Sequence, residues 1–264
     1  MPEGDTLYRA AVRARAHLSG QPIIECQTSV SRVDPDRLKG QRMRSCRSVG
    51  KHLLMQFGDD LWLHTHLGMN GRWRFANGRA HVSAGRGPNR LVLRTSESTA
   101  WCFGAPQMAL LTGHELARHP QLSTLGPDIL DRETSISTLR TAFRAVDGDP
   151  EIASALLDQR RCAGIGNVYK SECLFLTGIH PGRRLSALDD DTLDALLAET
   201  RKWMLRNVGP GRRGTRWPGR GQHWVYERGG ERCLRCDAVV RRVKQGPTPR
   251  VTFFCPTCQP ARAD

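Results

Sequence analysis

Two short stretches near the end of the chain, Cys233-Leu234-Arg235-Cys236 and Cys255-Pro256-Thr257-Cys258, decide how its last quarter folds. Each Cys-x2-Cys turn can aim two thiolates at one ion, and 18 residues separate the two turns. That spacing is the signature of a zinc ribbon with four sulfur ligands and no position left open for water. Residues 238–243 and 251–254 read as the strands of a hairpin, joined by Lys244-Gln245-Gly246-Pro247-Thr248-Pro249-Arg250. So small a module cannot bury a core of its own, and one structural Zn2+ would supply its folding energy. The other five of the nine cysteines, Cys26, Cys46, Cys102, Cys162 and Cys173, have no paired spacing and read as small core residues. A zinc ribbon is a platform, not an activity.

Upstream of the ribbon, residues 208–222 are too rich in Gly, Pro and Arg for a regular element and read as a basic loop. The charge is lopsided. The 264-residue chain carries +14 at neutral pH, of which +11 falls in residues 201–264. A near-neutral body with a basic, Arg-rich end points to a polyanion, and nucleic acid suits Arg best. Hydrophobic residues make up 39% and charged residues 25%, which excludes a disordered polyelectrolyte. No apolar run reaches the ~20 residues of a membrane helix, and the start lacks a secretion signal. A cytoplasmic protein with no membrane partner is therefore expected.

Further upstream the texture divides in two. Residues 3–18 carry Leu7, Ala10, Ala11, Ala14 and Leu18 at helical spacing. Short alternating segments near 22–30, 41–48, 51–57, 61–67, 71–75, 90–94 and 99–103 then predict an all-β sandwich or barrel, with a loop at 84–90. Helical signals follow at 113–119, 135–146, 150–158, 166–177 and 188–207, with Ser135, Asp149 and Asp189 as expected N-caps.

The opening Met1-Pro2-Glu3-Gly4 allows two readings. Proline is an ordinary first residue of a helix. If Met1 is removed, Pro2 instead exposes a secondary amine, which can attack an aldehyde carbon and form an iminium, with Glu3 beside it as acid or base.

Four separated signals agree: the Pro-Glu-Gly start, Gly50-Lys51-His52-Leu53-Leu54, His66-Leu67-Gly68-Met69-Asn70-Gly71, and Leu156-Leu157-Asp158-Gln159 through Gly164-Ile165-Gly166-Asn167-Val168-Tyr169-Lys170-Ser171-Glu172. With the cysteine module behind them they resemble the formamidopyrimidine-DNA glycosylase / endonuclease VIII family from residue 2 to about 260. The resemblance implies an α+β multidomain protein. Residues 1–125 would form a catalytic β-sandwich flanked by helices, 126–222 a helix–two-turn–helix DNA-binding domain and 223–264 the zinc finger. It also implies a DNA glycosylase and abasic-site lyase of base-excision repair, monomeric, acting on damaged duplex DNA, with single-stranded DNA as a second candidate. Carried onto this chain, Pro2 is the nucleophile and Glu3 the acid/base. Lys51, on the strand after Gly50, would contact phosphate and assist β-elimination, and Arg250 would contact phosphate and assist δ-elimination. Asn167 and the backbone from Gly164 through Gly166 would grip phosphates, with Tyr169 and Lys170 among the DNA-binding residues. The physics agrees in part. A base must be flipped from the duplex to be reached, and a wedge can fill the hole. Met69, in a Gly-flanked turn, suits a wedge, although a core methionine is the ordinary alternative. A helix opened by Gly164-x-Gly166-Asn167 suits a phosphate.

The chain departs from the family pattern twice. Asp5-Thr6 stands where many members have Pro-Glu, so the second glutamate is missing. Trp101-Cys102-Phe103-Gly104-Ala105-Pro106 stands where the 8-oxoguanine branch has Arg-Arg-Phe-Gly. The first departure leaves the glutamate's role in positioning the ring-opened sugar unfilled, and the second favours the endonuclease VIII branch and oxidised pyrimidines. The alternatives are an 8-oxoguanine-directed glycosylase, a relative that binds damage without cutting, and a zinc-ribbon adaptor for RNA or transcription complexes, which leaves the Pro-Glu start unexplained.

Overall fold

A computed structural model describes residues 2–78, 90–216 and 222–261. Contacts divide the chain into two compact units, Met1–Thr124 and Leu125–Asp264. Met1, most of the loop expected at 84–90 and residues 217–221 of the expected basic loop lie outside the described residues.

The first unit opens with helix α1 (Gly4–Leu18). Its apolar stripe Leu7, Ala10, Ala11, Ala14 and Leu18 is buried, as helical spacing requires. Strand β1 (Glu25–Thr28), the single-turn α2 (Pro35–Leu38), β2 (Met43–Val49), β3 (His52–Phe57), β4 (Leu61–His66), β5 (Arg72–Asn77), β6 (Leu91–Arg94), β7 (Ser98–Phe103), β8 (Gln107–Leu111) and the short α3 (Gly113–Ala117) follow. They build two four-stranded antiparallel sheets, ordered β1-β6-β7-β5 and β2-β3-β4-β8. One core lies between them. Leu53, Met55, Phe57, Leu63, Met108 and Leu110 from one sheet and Trp73, Phe75, Leu91, Leu93, Ala100 and Cys102 from the other share it with α1. The period-2 pleat of β3, β4 and β8 sends every other side chain to the opposite face.

Two elements of this unit escaped the sequence reading. Strand β8 carries Met108-Ala109-Leu110-Leu111, buried at all four positions, so it shows no alternation to distinguish it from the start of a helix. Helix α2 is only four residues long, with Asp34 capping it through Asp36 N–H at 3.0 Å.

The second unit contains α4 (Ile136–Ala145), α5 (Ile152–Ala155), α6 (Asn167–Leu176), α7 (Asp190–Arg206) and the hairpin β9 (Arg241–Gln245) and β10 (Arg250–Phe254). Ser135 and Asp189 cap α4 and α7 through the N–H groups of Thr138 and Thr192. Asp149 does not cap a helix; Glu151 holds that position at α5. The Asp149 carboxylate instead accepts from the backbone and hydroxyl of Ser186, both at 2.8 Å. The first hairpin strand lies at 241–245, later than the expected 238–243. The zinc hairpin is not a free-standing body, because Phe175 of α6 shares a buried cluster with Val225, Cys233, Val240, Phe253 and Cys255.

Buried charges tie the helical unit together. The Arg161 guanidinium is 1% exposed and donates to the carbonyls of Phe143, Asp147 and Gly148, closing the C-terminal end of α4. The Gln159 side chain spans the double turn before α6, donating to Leu157 O and Ile165 O and accepting from Gly164 N at 2.9 Å.

Candidate active site and nucleic-acid interface

Pro2 is half-buried at the entrance to α1, and Glu3 is its N-cap, fully buried in an extended conformation. Thr6, the residue that departs from the family pattern, sits one turn in. Its hydroxyl accepts from Glu3 N–H at 3.5 Å and donates to Asp5 Oδ1 at 3.4 Å. Thr6 thus joins the end of the helix that fixes Glu3.

Lys51 is not on a strand. It occupies the two-residue Gly50-Lys51 turn between β2 and β3, where Val49 pairs with His52. A two-residue hairpin turn keeps such a side chain at the sheet's end and out of the pleat.

Beside Lys51, on the face of the sheet turned away from the core, stand three histidines whose role the sequence reading missed, and His119, just past α3, packs on them. His52 Nδ1 and His64 Nε2 are 2.8 Å apart, so one ring donates and the other accepts. The His52 ring also lies 4.8 Å from that of His66, and His64 lies 4.6 Å from His119. Burial, then the neighbouring imidazoles and Lys51, pushes His52 down to about 3, and burial with His119 and His66 pushes His64 down to about 4. His66 and His119 are lowered as well, mainly by burial, with Lys51 acting on the first and Arg32 on the second. The column is therefore neutral at pH 7, and Lys51 is the cation beside it. His66 Nδ1 accepts from Gly68 N at 3.3 Å and so holds the start of the Met69 turn. The available signal was His64-x-His66 on one strand, which alternation puts on one face; their meeting with His52 depends on strand register.

Met69 is 65% exposed at the tip of its turn, which removes the core-methionine alternative. Gly68 adopts φ +58°, and a Cβ there would lie 2.7 Å from Pro106 Cγ, so the turn packs tightly against the β7–β8 connection.

In the second unit, Asn167 opens α6 and is half-buried, and its Oδ1 accepts from Lys170 Nζ at 3.0 Å. The phosphate-gripping expectation is narrowed at three of its neighbours. Gly164 spends its N–H on Gln159. Tyr169 is fully buried, with the Arg213 guanidinium over its ring at 5.5 Å. Lys170 is 1% exposed, and its ammonium also bonds Val251 O of β10 at 2.9 Å. Tyr169 and Lys170 are thus interior residues, because the inward face of α6 packs on the zinc hairpin. Gly166, also buried, is the extended N-cap of α6.

A second residue that sequence reading left without a role is Glu172. Its fully buried carboxylate accepts from the Thr215 hydroxyl and from three consecutive backbone N–H groups, Trp224, Val225 and Tyr226, the last three at 2.7–2.8 Å. Part of the basic charge stacks on aromatic rings, from an exposed Arg235 and a half-buried Arg216. Arg235 lies over Phe175 at 4.4 Å, and Arg216 over Trp224 at 4.9 Å.

The four cysteine sulfurs of Cys233, Cys236, Cys255 and Cys258 all lie within 4.8 Å of one another. Two pairs stand at 3.9 and 3.4 Å. A tetrahedron with Zn–S of 2.3 Å needs sulfurs ~3.8 Å apart, so the set fits the ion. The Ala238 N–H on Cys236 pulls that thiol down to about 7, toward the thiolate a metal needs. Arg250 is exposed at the start of β10, opposite Gln245.

Comparison with known proteins gives matches over both units. Residues 1–108 match the model described as the formamidopyrimidine-DNA glycosylase N-terminal domain, and 125–218 the formamidopyrimidine-DNA glycosylase H2TH domain. Residues 230–261 match a zinc finger found in formamidopyrimidine-DNA glycosylase and isoleucyl-tRNA synthetase. The chain is 37% identical to a Streptomyces coelicolor protein named "Probable endonuclease 8 2", covering 98% of this chain and 94% of that one. It is 34% identical to "DNA-(apurinic or apyrimidinic site) lyase Nei2" of Mycolicibacterium smegmatis, covering 99% and 100%. Its fold resembles that of the Lactococcus lactis formamidopyrimidine-DNA glycosylase solved with DNA containing an abasic site, at a TM-score of 0.80 and 23% identity, covering 98% and 100%.

Proposed function

The chain belongs to the formamidopyrimidine-DNA glycosylase / endonuclease 8 family, and from that membership we propose a bifunctional DNA glycosylase and abasic-site lyase of base-excision repair that works through Pro2. The observation that carries the reading is the start of α1: a proline followed by a fully buried glutamate at a helix N-terminus. The positive end of α1 disfavours an ammonium there, which favours the free amine once Met1 is removed. Pro2 N attacks C1′ of a flipped nucleotide as the base leaves, and Glu3 supplies the proton that opens the sugar ring. The resulting iminium acidifies C2′. Loss of that proton expels the 3′ phosphate, and a second elimination expels the 5′ phosphate. Lys51 and Asn167 hold backbone phosphates, Met69 fills the vacated stack, and Arg250 serves the second elimination. Cys233, Cys236, Cys255 and Cys258 hold a structural zinc, whose only chemistry is to fix the hairpin that carries Arg250.

The partner is damaged DNA, bound in a salt-dependent way because of the basic C-terminal quarter. Among the described residues no helix is long and apolar enough to cross a membrane. Oxidised pyrimidines are the preferred lesions, supported by the missing arginines at 101–106 and by the endonuclease 8 names of the relatives. The test is borohydride trapping on oligonucleotides carrying an abasic site, 5-hydroxyuracil or 8-oxoguanine. A covalent adduct lost in Pro2→Ala, strongest on 5-hydroxyuracil among the two base lesions, is the expected result. Stronger trapping on 8-oxoguanine overturns the lesion preference, and no adduct on any substrate overturns the enzyme.

A further inference from the structure

The tip of the zinc hairpin is braced from outside, and the brace ends beside Arg250. Gln245, the last residue of β9, donates its side-chain Nε2–H to Glu151 Oε2 of the α5 N-cap at 3.0 Å. Glu151 is itself held by its backbone, which forms an isolated antiparallel β-bridge with Arg184 and whose carbonyl accepts from the N–H groups of Ser154 and Ala155. The next residue, Gly246, has φ +85°, and a Cβ on it would stand 2.9 Å from Ser154 Oγ. Only glycine both makes this turn and lets it seat so closely against α5.

A carboxylate accepts and cannot donate, so Glu151 dictates which way the Gln245 amide points. The amide oxygen is left over. Gln245 Oε1 is buried and, among the described residues, meets no hydrogen-bond donor. Arg250 is the direct cross-strand partner of Gln245, and opposed residues project to the same side of a hairpin. Both residues line one cavity of about 570 Å³ with Ser154, Asp158 and Arg160.

We propose that Gln245 and Glu151 are positioning residues for Arg250: Glu151 orients the Gln245 amide, whose oxygen receives the Arg250 guanidinium and aims it at the phosphate eliminated second. This rests on the glycosylase/lyase reading above. The pair controls how far the cut proceeds after the iminium forms, and it leaves formation of the iminium to Pro2 and Glu3.

The zinc-loaded full-length chain is given an abasic-site duplex, and two quantities are read: the rate of borohydride trapping, and the ratio of δ- to β-elimination ends. Glu151→Ala and Gln245→Ala should leave trapping within about twofold of the parent chain while lowering the δ/β ratio about tenfold, as loss of one hydrogen bond to a charged group does. Glu151→Gln keeps an acceptor oxygen and should restore the ratio. An unchanged ratio in the alanine variants overturns the proposal. So does a fall in ratio and trapping together that Glu151→Gln fails to rescue, because that pattern marks a merely structural contact. If the parent chain traps but yields only β ends, Arg250 has no second elimination to serve and the proposal falls alone. If the parent chain does not trap at all, the function proposed above falls with it.

Discussion

Each unit gathers four side chains of the kind that bind transition metals, and the two sets behave in opposite ways. In the second unit four cysteine sulfurs converge within 4.8 Å of one another. In the first, four imidazoles run in series from His66 through His52 and His64 to His119, and among the described residues only the cysteines form a convergent set. The difference lies in what holds each set in place. The hairpin has too little apolar area to fold without its ligands being pulled together. Three of the histidines hang on a sheet already fixed by a core of more than twenty buried residues, and the fourth packs against them, so they can stack and share protons without an ion. A cluster of ligand-type residues thus marks a metal site where the fold needs the metal, and a packed polar layer where it does not.

The largest effect expected from this contrast is on zinc removal. Chelation, or Cys255→Ser, should remove binding energy on the order of 10 kcal/mol from the hairpin. Hydrogen exchange should then lose protection in 222–261 and along α6, through the shared cluster with Phe175, while Met1–Thr124 keeps its protection. Equal loss in both units would break the comparison.

The next effect belongs to the histidine column and is a pH dependence. An unfolded histidine takes up its proton near pH 6.5, whereas His64 and His52 in the folded chain wait until about 4 and about 3. Between those values the unfolded state binds more protons, so stability is complete above pH 6.5 and falls as pH drops toward 4. With both histidines contributing, the loss should reach on the order of 5 kcal/mol by pH 4.5. Urea titrations at pH 7.5, 5.5 and 4.5 measure it in the first unit. A flat profile would mean that the column is already charged when folded, against the single shared proton implied by His52 and His64 at 2.8 Å.

The two clusters also differ in how they can be read from sequence. The cysteines are adjacent along the chain, and their spacing alone gives ligand number and geometry. The histidines meet only because β3 and β4 pair with His52 opposite His66, and register is a tertiary property. The same distinction runs through the rest of the molecule. The helices α1, α4 and α7 follow from periodicity and caps within one stretch of chain. Strand β8 does not, because burial on both faces erases alternation. Pro2 and Glu3 stand out as a local motif. The interior roles of Tyr169 and Lys170 could not be read locally, since a lysine on a helix looks solvent-facing until β10 is laid against it.

Lys170 gives the third test. Lys170→Met keeps the length and loses the donor, leaving Asn167 Oδ1 and Val251 O without it. A cost of about 2 kcal/mol to the second unit is expected, because buried acceptors are left unsatisfied. DNA affinity measured across salt concentrations should keep its slope, since a buried ammonium neutralises no phosphate. A slope reduced by about one would restore Lys170 to the DNA-binding surface.

The smallest expected effect concerns Thr6, and it bears most directly on chemistry. At 3.5 Å its hydroxyl makes a marginal bond to Glu3 N–H, so Thr6→Ala should cost only about 0.5 kcal/mol of stability, the low end for a helix cap. If the contact served stability alone, trapping at Pro2 would change by no more than that energy implies, about twofold. Glu3, however, is fully buried and sits directly after Pro2, the proposed nucleophile. A small rotation of its backbone moves the carboxyl relative to Pro2, and misplaced acid/base groups lose rate out of proportion to stability. The expected outcome is therefore a fall in trapping rate well beyond twofold with an unfolding midpoint almost unmoved. Matching small changes in both would assign Thr6 to the helix alone and leave the orientation of Glu3 to the core around it.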